Sequence, residues 1–239
     1  MKRKQQSRLG REPQIPDDLE PLAVREGHGL DDFSEVAING AQLAGSQTPR
    51  LLLSQSRLTK VNLSESVVSR LRAIDVTFDD CNLSNVETAD AEFLRVAFAE
   101  CKLSGFGIAA GSFTDVEFRG CRLDFASFAE VKFKRVSFRG CQLRETDFSG
   151  TTLESVGFVE CDLTRAIFRR ARIEGSQMLR CDLTDVRELR DLRGIAMEWN
   201  DVLALAHPLA AAFGIEIAGG PEGAPAEVAG GDFDNSRVI

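Results

Sequence analysis

The chain has 239 residues, 43% of them hydrophobic and 28% charged, with a formal net charge of −8 at pH 7. Only two histidines and no tyrosine are present, and no nucleophile–base pair or glycine-rich phosphate loop is recognisable, which argues against an enzyme and against a bound cofactor. Nothing reads as a transmembrane span.

From the N-terminus, the first sixteen residues are polar and rich in cations (Lys2, Arg3, Lys4, Arg8, Arg11), with Pro13 and Pro16 among them. They lack the apolar stretch of a secretory signal. The composition predicts a solvated, disordered basic tail and entry over residues 1–30.

A repeat follows. All six cysteines stand twenty residues apart, from Cys81 to Cys181, and two positions after each comes a leucine, Leu83 to Leu183, in a series that runs back to Leu63 and Leu43. A fixed period of this length means stacked units, none of which can bury its apolar face alone. The period subdivides into fives: Phe78, Leu83, Thr88, Phe93, Phe98, Leu103, Ile108 and Phe113 belong to one register, and two residues before each large residue stands a small or β-branched one, as in Val76, Cys81, Val86 and Ala91. Two apolar positions in five match neither a helix nor an ordinary strand.

This pattern, held over roughly residues 33 to 188, resembles the pentapeptide-repeat family. The resemblance implies an all-β solenoid, a right-handed quadrilateral β-helix of four pentads per coil, with the large residue and the small one two before it pointing inward. The repeat region is set at residues 31–188, about eight coils, a rod of roughly 35–40 Å at ~4.8 Å per coil. Phe106, in a small-residue position, is expected to be offset by Gly111. Thr48 and Pro49 predict a less regular first coil over residues 33–50, and Glu188, which cannot be buried unpaired, marks the end.

Beyond it, residues 189–217 read as a helical cap: a short helix near Glu198–Ala206, a second begun by Pro208, and Gly214 as its stop. A cap is needed because the last coil leaves an open strand edge. The resemblance adds that such an element joins two rods into a homodimer. Residues 218–239 read as a flexible tail.

The cysteines read as core filler. Stacked Cys side chains are parallel, against the ~90° twist a disulfide needs, and a straight row cannot surround a metal ion tetrahedrally. Free thiols imply a reducing cytoplasm.

Function has no site motif to rest on. The resemblance points to Qnr-like and MfpA-like bacterial proteins of antibiotic resistance, DNA mimics that engage DNA gyrase, a type II topoisomerase; no direct nucleic-acid or membrane contact is expected. The candidate partner-binding residues are the acids Asp79, Asp80, Glu87, Asp90 and Glu100, all at outward positions. A girdle of cations (Lys132, Lys134, Arg135, Arg139, Arg144) counts against a mimic. With the outward apolar residues Leu94, Phe125, Val159, Ile167 and Leu179, it favours the alternative, a protein-interaction scaffold without that target.

Overall fold

Because only two of five residues are apolar, and both point the same way, the chain can bury them only by winding around them. It does so in the computed structural model, which describes residues 10–24 and 32–217. Each coil has four faces of five residues. In chain order these are a Cys/Leu face, a second face centred on residues such as Phe128 and Phe148, a third face centred on Phe93, Phe113 and Phe133, and a Val/Phe face. Pairing between coils is parallel with a twenty-residue offset, as in Val76↔Val96, Val96↔Val116 and Val116↔Val136. The Cys/Leu face is tied by single bridges from Gln42↔Asn62 to Asp162↔Asp182.

Corners fall at every fifth residue, mostly in the left-handed region, among them Asp80 (φ 51°), Glu100 (φ 52°) and Phe125 (φ 60°). The corner between the second and third faces differs in the early coils. There the strands Gln47–Thr59, Val67–Asp79 and Glu87–Ala99 run straight through, and the Thr48 and Thr88 hydroxyls donate to the Arg50 and Asp90 carbonyls at 2.9 and 3.0 Å. The expected irregularity at Thr48 and Pro49 is therefore absent. Thr48 pairs with Val68 and Arg50 with Arg70, while Pro49 sits at the unpaired step, where no N–H is required.

The interior is a set of side-chain ladders. Phe78, Phe98, Phe118, Phe138 and Phe158 stack in sequence at 4.7, 4.8, 4.8 and 5.0 Å between ring centroids, with planes within 8° of parallel. Each such buried ring contributes on the order of 1.5–3 kcal/mol. Cys81 to Cys161 are buried, Cys181 half-buried, and all six thiols are free. The thiol of Cys121 donates to the Phe98 carbonyl at 3.5 Å, the same step that the Thr146 and Ser176 hydroxyls make to Leu123 and Leu153. Cysteine thus serves as a small apolar filler with a weak donor. Gly111 has another reason than the bulk of Phe106: a Cβ there would lie 2.6 Å from the Ala91 carbonyl oxygen and 3.1 Å from Ile108 Cγ2.

Both ends prolong the ladder beyond the pentads. Glu20–Leu22 pairs under Val36–Asn39, and Ala196–Met197 pairs over Gln177–Leu179, giving ten stacked strands on the Val/Phe face among the described residues. At ~4.8 Å per step that face is about 43 Å long. Residues 10–24 depart from the expected disorder, because backbone N–H groups of Arg11 and Gln14 find carboxylate acceptors on the rod. Lys2, Arg3, Lys4, Arg8, His28 and the tail 218–239 lie outside the described residues.

At the other end Glu188 turns out of the coil (φ 61°) and its carboxylate meets Arg169 at 3.5 Å. A 3-10 turn, Leu189–Leu192, and two helices, Trp199–Ala204 and Ala206–Ala212, follow. Inside the rod, a corner N–H donates to a carbonyl of the next coil, as Gly150 does to Arg169. Arg170 and Arg180 meet no such carbonyl, and the carboxylates of Asp191 and Asp201 accept their N–H groups at 2.7 and 2.9 Å instead. Leu192 and Leu205 are buried over the end of the core. Gly214 (φ 69°) follows the last helix.

Candidate interaction surface

The five candidate acids are all exposed, but they do not form one band. Asp79, Asp80 and Glu100 lie on the corner between the Val/Phe face and the next Cys/Leu face. Glu87 and Asp90 lie on the second face and the corner after it, diagonally across the rod. No single flat contact reaches both groups. They differ also in their partners: Asp90 lies 3.9 Å from Arg70, whereas Asp79, Asp80 and Glu100 have no cation within ion-pair distance among the described residues.

The basic girdle is largely neutralised. A coil step brings residues twenty apart in sequence side by side, so that Lys134 meets Glu154 at 2.8 Å, Arg135 meets Asp115 at 2.6 Å, and Arg165 meets Glu145 at 3.3 Å. Neighbouring offsets add Arg139 with Glu117 at 3.6 Å and Arg144 with Asp162 at 2.5 Å. Of the five cations read as a girdle, only Lys132 lacks such a partner among the described residues. Exposed pairs of this kind add little stability, on the order of 0–1 kcal/mol each, but they remove the net positive belt that counted against a mimic.

Of the outward apolar residues, Leu94, Val159, Ile167 and Leu179 are half-buried against neighbouring coils. Phe125 is 63% exposed in the left-handed region, an unfavourable conformation for a bulky residue. The helical cap exposes Trp199 and Leu203 in its first helix and Phe213 just after its second.

Sequence reasoning missed one constellation. At the corner between the third and Val/Phe faces stand Asp75, Arg95, Asp115 and Arg135, alternating in sign at twenty-residue steps. Arg95 donates through Nε and Nη2 to Asp75, both at 2.6 Å, and Arg135 in the same way to Asp115 at 2.6 and 2.7 Å. These hydrogen bonds hold both carboxyls below the ordinary carboxylate range, against an opposing effect of burial. The alternation at the coil period was the signal that could have revealed it.

Among the described residues, no group of three or more His, Cys, Asp and Glu side chains is arranged to hold a metal ion, and no helix is long and apolar enough to cross a membrane. The Cys121, Cys141 and Cys161 thiols are pushed up to about 12, first by the hydrogen bond with the preceding thiol of the row and then by burial.

The unbroken five-residue register, with its inward pair and its corner at every fifth position, coincides over residues 111–187 with the family model described as a pentapeptide repeat region. The chain carries a pentapeptide repeat region. No curated protein matches it. Among solved structures, a trypsin-treated variant of QnrB1, a plasmid-mediated fluoroquinolone resistance protein, is 17% identical with a TM-score of 0.43, covering 80% of this chain and 94% of its own. HetL from the cyanobacterium Nostoc sp., a pentapeptide repeat protein involved in heterocyst differentiation regulation, is 14% identical with a TM-score of 0.29, covering 72% of this chain and 92% of its own.

Proposed function

We propose that this protein is a non-catalytic binding rod that modulates a type II topoisomerase, DNA gyrase, by presenting acids in place of DNA phosphates. The observation that carries the reading is the group Asp79, Asp80 and Glu100, exposed on successive coils at one corner and free of ion pairs among the described residues. Attraction to a basic DNA-binding surface would run through these three, with Glu87 and Asp90 facing away from the same contact. Neutralisation of the cation girdle in the later coils supports the reading. The exposed apolar side chains of the helical cap, Trp199, Leu203 and Phe213, support end-to-end pairing of two rods, and six free thiols suit a reducing bacterial cytoplasm.

The test is gyrase supercoiling and fluoroquinolone-stabilised cleavage, with wild type and two variants. Asp79→Asn/Asp80→Asn/Glu100→Gln should lose the effect, and Glu87→Gln/Asp90→Asn should largely keep it. The wild-type effect should weaken as salt rises. No effect of the wild-type protein at micromolar concentration refutes the topoisomerase target. The second reading, a scaffold for another protein, is favoured by Phe125, an exposed aromatic held in an unfavourable backbone conformation.

A further inference from the structure

A solenoid contacts only its neighbours along the axis, yet this rod carries a segment that bridges distant coils. Residues 10–16 run along the corner of Asp75 and Asp115 against the direction of coiling. The Arg11 N–H donates to Asp115 Oδ1 at 3.2 Å, across a sequence separation of 104, and the Gln14 N–H donates to Asp75 Oδ1 at 2.9 Å. Two coils, roughly 9.6 Å, separate the acceptors, which is the reach of three extended residues at ~3.3 Å each. The acceptors are pre-set: the Asp75 and Asp115 side chains are 9% and 4% exposed, each already gripped by two hydrogen bonds from its arginine. Gly10 fits where nothing larger can, since a Cβ would lie 2.8 Å from both the Arg135 carbonyl oxygen and Asp115 Cα. Beside the segment a cleft of about 300 Å³ remains open, between Arg11–Pro13 and Val96, Ala97, Val116 and Ser137.

The recognition is built on backbone donors and on the absence of a side chain at one position, the mode by which grooves read extended peptides. The hold is light. No residue of 10–16 is fully buried, and a bend at Asp17 and Asp18 separates the segment from the strand Glu20–Leu22. Segments with few buried contacts open at low free-energy cost.

We propose that this corner is a recognition groove for an extended peptide, that residues 10–16 occupy it in cis, and that a segment of a partner protein with the same chemistry displaces them: a glycine followed by backbone N–H donors one and four positions later. Pro13 and Pro16 fit the occupant because they favour an extended chain and remove donors that the groove leaves unused.

The test uses the full chain carrying Gly10→Val, which drives the resident segment out by steric clash and leaves every rod residue in place. The probe is a fluorescein-labelled synthetic peptide of residues 10–19, followed by anisotropy. It should bind the variant at least about tenfold more tightly than the wild type, whose tethered segment competes at an effective concentration on the order of millimolar. The same peptide with valine in place of its glycine should not bind. Adding Asp75→Asn and Asp115→Asn to the Gly10→Val protein should weaken binding at least about tenfold, with the circular-dichroism spectrum unchanged. Hydrogen exchange supplies the independent readout: the Arg11 and Gln14 amides should be protected in the wild type and lose protection in Gly10→Val, while the rod strands keep theirs. Equal binding to wild type and variant overturns the proposal. So does no binding to the variant at millimolar peptide, or continued protection of both amides in it.

Discussion

Replacing Phe118 by alanine tests the ladder architecture where it is most demanding. The ring is fully buried and lies between two parallel neighbours, Phe98 and Phe138, each at 4.8 Å and 3°, with Phe113 at 5.9 Å. Removing a buried phenyl ring costs about 3–5 kcal/mol in lost transfer energy and cavity. Stacked pairs are worth roughly 0.5–1.5 kcal/mol beyond area, and two are lost, so the upper part of that range is expected. Two comparisons fix the cause. Phe168→Ala removes a ring with one parallel neighbour, Phe148 at 5.1 Å, and should cost about 1 kcal/mol less. Cys121→Ala removes one sulfur and a weak hydrogen bond to the Phe98 carbonyl and should cost about 1 kcal/mol. Guanidinium unfolding followed by far-ultraviolet circular dichroism reads all three as midpoint shifts at constant slope. Equal losses for Phe118→Ala and Cys121→Ala, or a loss below about 2 kcal/mol for Phe118→Ala, would refute the assignment of the core to the stacked rings.

The Cys121, Cys141 and Cys161 thiols should resist alkylation by iodoacetamide at pH 8 in the native protein and react readily after denaturation, since they are buried and pushed up to about 12; rapid native labelling of Cys121 or Cys141 would contradict the closed ladder. The carboxyls of Asp75 and Asp115 titrate below the ordinary value of 3.8 because Arg95 and Arg135 hydrogen-bond their charged forms. A depressed folded-state value means that their contribution is complete above pH 3.8 and is lost as the pH falls through the folded values. Protection of the Arg11 and Gln14 amides should therefore persist at pH 5 and disappear on acidification below about pH 3.8; loss near pH 6 would mean that another group holds the segment. Asp201→Ala leaves the Arg180 N–H without its acceptor and should destabilise the C-terminal end by about 1–3 kcal/mol, seen as faster hydrogen exchange in the last coil only. Leu205→Asp puts a charge where a buried leucine covers the core, and light scattering should rise as the uncovered strand edges associate; an unchanged monodisperse profile would remove the capping role.

The repeat made most of the rod legible before any coordinates. The five-residue spacing, joined to the family resemblance, assigned Phe118 and Cys121 to the interior and Asp80 and Glu100 to the outside, because in a stack of identical coils a residue's position modulo five fixes its direction. The same regularity made the cysteine row unfit for disulfides. Single exceptions were read less well: Thr48 and Pro49 looked like a break, yet a hydroxyl-to-carbonyl bond and an unpaired step absorb them, and Gly111 answers to the Ala91 carbonyl instead of to Phe106.

What required the tertiary structure was everything that depends on which residues meet around or across the coil. Linear proximity grouped the acids from Asp79 to Glu100 as one candidate set, but winding separates Glu87 and Asp90 from the other three by half a turn. It also sets Lys134 beside Glu154 and Arg135 beside Asp115, so that a run of cations becomes a row of ion pairs. Composition marked residues 1–30 as a disordered basic tail and entry, since the first sixteen are polar and rich in cations, yet residues 10–24 are ordered. Their order comes from two carboxylates contributed by coils far along the chain. Periodicity encodes direction relative to the axis, and the sequence carries it locally; lateral contact between distant segments is a property of the assembled surface, which exists only once the coils have stacked.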